Sequence, residues 1–521
     1  MVASGNEADA QQRADEEVPL PSAPDVIIIG GGTAGSAAAR LLAHWGHLVV
    51  LLEREGARSP LAESLPPSCI PLLDAIGVRT EVEEAGFLRC TGNTAWWGSE
   101  PMRVEPFPGG RLGFQVVRAR LEEVLGTSAA AAGAYRVHPA TALKVERDGD
   151  LNLVEVAFAT GRRTLRAPWV LDCSGRTGVV ARAHRIAAPE GVRTVALIDA
   201  WQKPEGWEWM PDETHTLVES AEWGWAWSVP VARDQRFVTM MVDPGSTDLT
   251  AGEGLHVRYR ELLSSLPAMR RLSDGATPSG KPWAYDATPY HSQNVAFPGL
   301  LLVGDAASAI DPLSSFGVKK ALASAWLAAV TVHTALATPA HTALAMQLFR
   351  ERESAYVQSA THGLSGLSRL ARAGRAVPFW SARAEMDAAS ATPGIGLGTT
   401  TLGDAAVEKL RNDPSVLVAF RNLREAPKAR LVPSEGGRRV MRPVVRGNVV
   451  VPEEHLEIPG VEGGVRYLRS IDLVTLVDIA SRFDDVGEMY AHYARTFGPV
   501  ALPDFLGALA VLAGKGIVHV A

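Results

Sequence analysis

Cysteine is scarce. Cys69, Cys90 and Cys173 are the only three in 521 residues. Thiols so few and so scattered exclude a disulfide framework and fall short of a zinc site, so no bound metal is expected and a reducing, cytoplasmic location is. Positive charge is not in excess either. The formal net charge is −7, which argues against nucleic acid as a partner. Long apolar runs are also missing: the most apolar helical stretch, about Ala321 to Leu336, contains His333 and several threonines. It reads as a buried core helix too short to cross a bilayer, and no membrane partner is expected. The first 24 residues are polar and acidic and lack the basic start and apolar centre of a secretory leader. They are expected to form a disordered tail. No internal repeat is present.

What the chain does contain is a strand–helix–strand pattern. "DVIIIG" from Asp25 is a continuous apolar strand, "GGTAGSAAARLLAHWG" a helix and "HLVVLLER" a second strand. A helix near Val117 to Leu125 follows, then strands in "YRVHP", "TALKVER", "NLVEVAFA" and "RTLRAPWVLDCSG", with turns at Asp148-Gly149 and Thr160-Gly161. Tryptophan is plentiful, and seven of the thirteen fall between residues 185 and 290, a block that reads as strands. The expected class is α/β: a Rossmann-like nucleotide-binding domain (25–184 and 291–390) with an inserted antiparallel β substrate domain (185–290). Residues 391–430 read as a linker or lid, because "TPGIGLGTTTLGD" is rich in Gly and Thr. Residues 431–521 read as a small α+β domain resembling a winged helix, preceded by a basic stretch from Arg421 to Arg446.

Gly30-x-Gly32-x-x-Gly35 lies directly after the first strand and opens the helix, with Thr33 and Ala34 inside the turn. Glycines there let the backbone turn sharply and let a pyrophosphate approach the helix N-terminus, where N–H groups and the dipole favour anions. Glu53 closes the second strand, followed by Arg54; a carboxylate at that point accepts hydrogen bonds from ribose hydroxyls and disfavours a 2′-phosphate. The set predicts FAD or NAD rather than NADP.

Four separated blocks carry a resemblance. "VIIIGGGTAGSAAARLLAHWGHLVVLLER", "FQVVRARLEEVL", "WVLDCSGRTG" and "GLLLVGDAASAIDPLSSFGVKKAL" resemble, in order, those of FAD-dependent monooxygenases with the p-hydroxybenzoate-hydroxylase type of fold, nearest the flavin-dependent halogenase-like branch. The resemblance spans about residues 24 to 370. It implies that Asp305, after Gly304, contacts the FAD ribityl chain and that Arg118 reaches the cofactor. It places the segment from Asp311 through Pro312 and Ser315 to Gly317 and Val318 beside the flavin ring. The block Asp172 to Gly175 would close around the adenosine half. Small residues let backbone pack against the ring, and the helix end favours negative charge on reduced flavin.

"WGWAWSVPV" resembles the WxWxIP signature of flavin-dependent halogenases, with Trp225 and Trp227 in place and Val229 instead of isoleucine. The family's halide-relaying lysine falls in a GFxxKxG block, which here reads "GFLRCTG". Cys90 occupies the lysine position, Ser314 replaces the glutamate of tryptophan halogenases, and no lysine lies between Arg58 and Arg136. A thiol cannot carry halogen as an amine does, since hypohalous acid oxidises it. The expectation is therefore hydroxylation of an electron-rich aromatic, an indole or phenol, by O2 through the flavin C4a-hydroperoxide that the resemblance implies. Trp225, Trp227, Ser315, Cys90 and His291 are the catalytic candidates, with His215 and Asp286 as further bases or orienters. Electrons come from NAD(P)H directly or through a flavin reductase, as no second glycine fingerprint is present. The tail would suit a peptide- or carrier-bound tryptophan. Alternatives are a halogenase with a non-standard relay, a flavin dehydrogenase or saturase, and a non-enzymatic FAD-bound adaptor.

Overall fold

The computed structural model describes residues 20–56, 60–189, 191–249, 253–314, 316–372, 377–386, 404–425, 428–434, 437–461 and 463–520. Contacts divide the chain into two compact units. The first is Met1–His333 with Phe349–Ile395, and the second is Thr334–Leu348 with Gly396–Ala521.

In the first unit the strand Val26–Ile29 is buried along its whole length, as a strand covered on both faces must be. It pairs in parallel with Val49–Leu52 on one side and Trp169–Asp172 on the other. The six-stranded sheet continues through Tyr135–Val137 at one edge and Leu300–Leu302 with Ala296–Phe297 at the other. The central strand is thus where the order reverses, and its carboxyl end opens into the glycine turn and the helix Thr33–His44. Ligands bind at such a switch point in open α/β sheets. Three antiparallel strands, Ala140–Asp148, Leu151–Phe158 and Gly161–Ala167, form a separate small sheet at the expected turns.

The tryptophan-rich block forms an eight-stranded sheet, but not by itself. Gly92–Trp96 and Arg103–Pro106, from well upstream, add to its edge. Gly92–Trp96 pairs in parallel with Thr216–Ala221, so the sheet is mixed rather than purely antiparallel. The block also holds two helices, Glu253–Ser264 and Pro267–Ser273. Period-two alternation sorts its side chains. Leu197, Trp201, Val238 and Met240 face a core with those helices, while Ile198, Trp225, Phe237 and Met241 face the other way.

Other boundaries shift as well. Leu20 packs partly against the core of the parallel sheet, inside the stretch expected as tail; residues 1–19 lie outside the described residues, as do 387–403, which hold most of the Gly/Thr-rich segment. Two helices of the expected linker, Asp404–Arg411 and Pro414–Glu425, bury Val407, Leu410, Val416 and Leu423 in the core of the second unit. That unit also contains the hairpin Arg439–Arg446 and Val449–Leu456, the helices Leu473–Ala480, Val486–Phe497 and Leu502–Gly514, and a strand Val518–Val520 paired with Leu431–Pro433. Part of the basic stretch is ion-paired in place. Arg439 meets Glu454 and Asp478, and Arg446 meets Glu453. The apolar helix runs Gly317–Ala337. At 21 residues it reaches the length and composition of a membrane span, longer than expected, but 78% of its apolar window is buried inside the protein.

Candidate functional site

The glycine turn is packed to the limit. A Cβ at Gly35 would stand 1.9 Å from the Gly30 carbonyl oxygen, and one at Gly30 would stand 2.5 Å from that of Cys173. Gly30 has φ 105, a backbone conformation that side chains oppose. Gly32 caps the helix without a side-chain bond, and no acidic residue occupies the first turn. Thr33 is buried, with its hydroxyl oxygen unpartnered. A free hydroxyl and uncapped N–H groups at one helix end suit a phosphate. Glu53 is buried at the end of its strand, where Arg136 grips its carboxylate at 2.6 and 2.8 Å. Arg54 is exposed.

The late segment meets this turn directly. A Cβ on Gly304, whose φ is 64, would lie 2.9 Å from the Ala34 Cβ. Beyond it a cavity of about 350 Å³ opens. Arg118, Asp305, Pro312, Gly317 and Val318 all line it, so the structure brings together positions as far apart as 118 and 318. Arg118 pairs with Glu122 at 3.0 Å and approaches Glu63 at 3.9 Å. Burial pushes the Glu63 carboxyl above its ordinary range, against the pull of Arg118. Tyr290 donates its hydroxyl hydrogen to the Asp305 carbonyl at 2.7 Å. Asp311 is buried against Arg383 at 3.7 Å, which anchors the cavity segment from behind. Asp172 does not line the cavity. Its carboxylate accepts from the backbone of Ser174, Val180 and Ala181 and from the Ser174 hydroxyl, so it builds the turn that follows its strand.

Trp225 and Trp227 line the cavity from one face of their strand, with rings stacked at 4.8 Å. Trp97 joins them, edge-on to Trp225 at 6.4 Å and fixed by a hydrogen bond from its indole N–H to the Leu367 carbonyl. The other five tryptophans of the block do not line the cavity. Trp201 and Trp207, for example, are core residues on the opposite face.

Several expected residues fall elsewhere. Cys90 is fully buried, donates toward the Gly92 carbonyl and accepts from Gln115 Nε2 at 3.1 Å. It is absent from the cavity wall, and burial raises its thiol pKa. His291 sits mid-strand, paired with Ile186 and Ser308 away from the cavity. His215 is buried against Thr94 at 3.0 Å, with burial holding its pKa low. Asp286 is absent from the cavity lining but pairs at 3.3 Å with Arg176, which lines it. Ser315 lies outside the described residues. Among the cavity residues not anticipated from the sequence are Glu63, Cys69, Trp97, Arg176 and Lys319. Lys319 matters most, because it puts an amine in the chamber from far outside the lysine-free interval between Arg58 and Arg136. Burial pushes that amine below the ordinary lysine range, and the Cys69 thiol beside it up to about 12. Its position two residues after Gly317, on the first turn of the buried helix, was the available signal.

The residues fit FAD: a cradle closed to any Cβ, an unpartnered hydroxyl at the helix end, and a cavity continuing past Asp305 for a ring system. Known proteins point the same way. A family model described as FAD binding domain matches residues 23–357. The chain is 31% identical over 350 residues to the tryptophan 2-halogenase of Chondromyces crocatus, a match covering 64% of this chain and 65% of that protein. The matched part thus spans just under two thirds of that relative. Two solved structures share the fold along nearly the whole chain. CmlS, a flavin-dependent halogenase, is 20% identical with a TM-score of 0.71, covering 97% of this chain and 96% of its own. The peptidyl tryptophan dihydroxylase QhpG, essential for tryptophylquinone cofactor biogenesis, is 19% identical with a TM-score of 0.66, covering 95% and 99%. From the glycine cradle to the Asp305 segment, the chain belongs to the FAD-binding monooxygenase family.

Proposed function

We propose that the protein is a monooxygenase that hydroxylates an electron-rich aromatic ring, with a peptide- or carrier-bound tryptophan as the favoured substrate. The observation that carries this is Cys90. Where the resemblance puts the halogenases' relay lysine, this chain has a thiol that is hydrogen-bonded to Gln115 and Gly92 and does not line the cavity. Bound and reduced, FAD supplies two electrons which, with O2, give one oxygen atom to the ring and one to water. The chain's own part is to bind and orient. Trp97, Trp225 and Trp227 present aromatic faces against which an indole packs edge-on or offset. Ile198, Val229 and Met241 keep the chamber dry. Glu63, its proton affinity raised by burial, stands in the wall where it can hold a proton released on oxygen transfer. The Chondromyces relative and QhpG are both named for action on tryptophan, which supports the indole assignment. Electrons reach the cofactor from NAD(P)H or a separate flavin reductase.

Lys319 favours a second reading, halogenation, because its amine faces the same chamber. One experiment separates the two. The holoenzyme is supplied with reduced FAD, 18O2, bromide and tryptophan-containing peptides, and products are weighed for wild type and Lys319→Met. Labelled hydroxyl product without bromination is the expected outcome. A brominated product that disappears in the Lys319→Met variant overturns hydroxylation in favour of the lysine relay.

A further inference from the structure

The turn that presents Asp305 is held from below by side chains the cavity never touches. Gly304 donates its N–H to Ser324 Oγ at 2.9 Å, and its carbonyl accepts from Lys320 Nζ at 2.5 Å. The same ammonium donates to the Ser308 carbonyl at 2.6 Å. Lys320 therefore ties the two ends of the stretch from Gly304 to Ser308. Its exposure is 0%, and the carboxylate 3.6 Å away, Glu353 at 2%, comes from the helix Thr342–Arg372. Ser324 belongs to the same group, one helical turn beyond Lys320.

Stability does not account for such an arrangement. Placing both charges in the interior carries a desolvation penalty, and apolar replacements of buried pairs are often neutral or stabilising. What the group does supply is definition. Gly304 is in the left-handed region, in contact distance of Ala34, so any relaxation of this turn moves Asp305 relative to the glycine cradle. Both main-chain polar groups of Gly304 have side-chain partners, which ordinary packing does not require.

We propose that Lys320, Ser324 and Glu353 form a positioning module that fixes the Gly304–Ser308 turn and thereby sets Asp305 for FAD. They act through the backbone, not on the reacting atoms. The assignment rests on FAD binding and is independent of whether the ring is hydroxylated or halogenated.

The test uses the full chain with two variants, Ser324→Ala and the double variant Lys320→Met/Glu353→Gln, which removes both charges at near-constant volume. FAD affinity is measured by flavin fluorescence quenching, together with the visible spectrum of bound flavin and the thermal midpoint without FAD. Ser324→Ala is expected to weaken FAD about 5- to 10-fold, the scale of one lost hydrogen bond. The double variant is expected to weaken it roughly 100-fold with an altered flavin spectrum, and to keep its thermal midpoint. Wild-type affinity and spectrum in either variant overturns the assignment. Should the double variant fail to fold, Ser324→Ala decides alone, since it removes only a hydroxyl.

Discussion

The two faces of the eight-stranded sheet carry the same kinds of residue and do different work. On one face Trp201 and Trp207 are enclosed by the helices Glu253–Ser264 and Pro267–Ser273, and Trp207 donates its indole N–H to the Leu272 carbonyl. On the other, Trp225 and Trp227 stack beside an open chamber. Alternation along the strands assigns Trp201, Trp225 and Trp227 to a face but does not say which face opens on a cavity. A helix packed over the sheet converts aromatic area into stability, whereas the other face, covered in part by Leu364, Phe379 and Trp380, leaves part of its aromatic area to the cavity.

Truncation should break the symmetry most sharply. Trp207→Ala on the covered face is expected to lose about 3–5 kcal/mol of stability, read by denaturant unfolding. Trp227→Ala on the chamber face should unfold within roughly 1–2 kcal/mol of wild type yet lower turnover of an aromatic substrate at least about 10-fold. Equal stability losses would erase the distinction between the faces.

A smaller effect concerns Asp199, buried on the covered face with Oδ2 unpartnered. Burial raises its pKa to about 6. Because the folded value lies above the unfolded one, folding favours the protonated acid, and stability falls as pH rises from about 4 through 6. Asp199→Asn should therefore raise the unfolding free energy at pH 8 by on the order of 2 kcal/mol, measured by denaturant unfolding, and leave it nearly unchanged at pH 4. A gain that does not grow with pH would contradict the unpaired carboxylate.

The smallest effect expected is at Cys90, in the short strand Leu88–Cys90 of a separate three-stranded sheet. Cys90→Ala should leave product formation within about 2-fold and cost on the order of 1 kcal/mol, measured by steady-state turnover and unfolding. A large loss of turnover with stability intact would return Cys90 to the reaction.

Much of the cofactor half was legible in advance because its constraints are local. A continuous apolar strand, glycines where a Cβ has no room and an acidic residue closing the next strand are all properties of neighbouring letters. The substrate half was legible only in part. Trp225 and Trp227 were found by resemblance to the WxWxIP signature and do line the cavity, but Cys90 and His291 were placed in the chamber by residue type and resemblance, and both are held elsewhere by their pairing partners. Gly92–Trp96 joins a sheet built from residues beyond 190, which no local pattern announces.

Steric limits on backbone act over a few residues. The strand–glycine–helix unit and its dinucleotide site therefore follow from residue order alone, whereas the choice of a flavin over NAD and the role of the turn at Asp305 came from the family resemblance. Which aromatic, thiol and amine groups share the chamber is settled only by folding. Trp97, Cys69 and Lys319 stand there, and Cys90 does not, because the crossing of distant strands and the end of a buried helix set those neighbours.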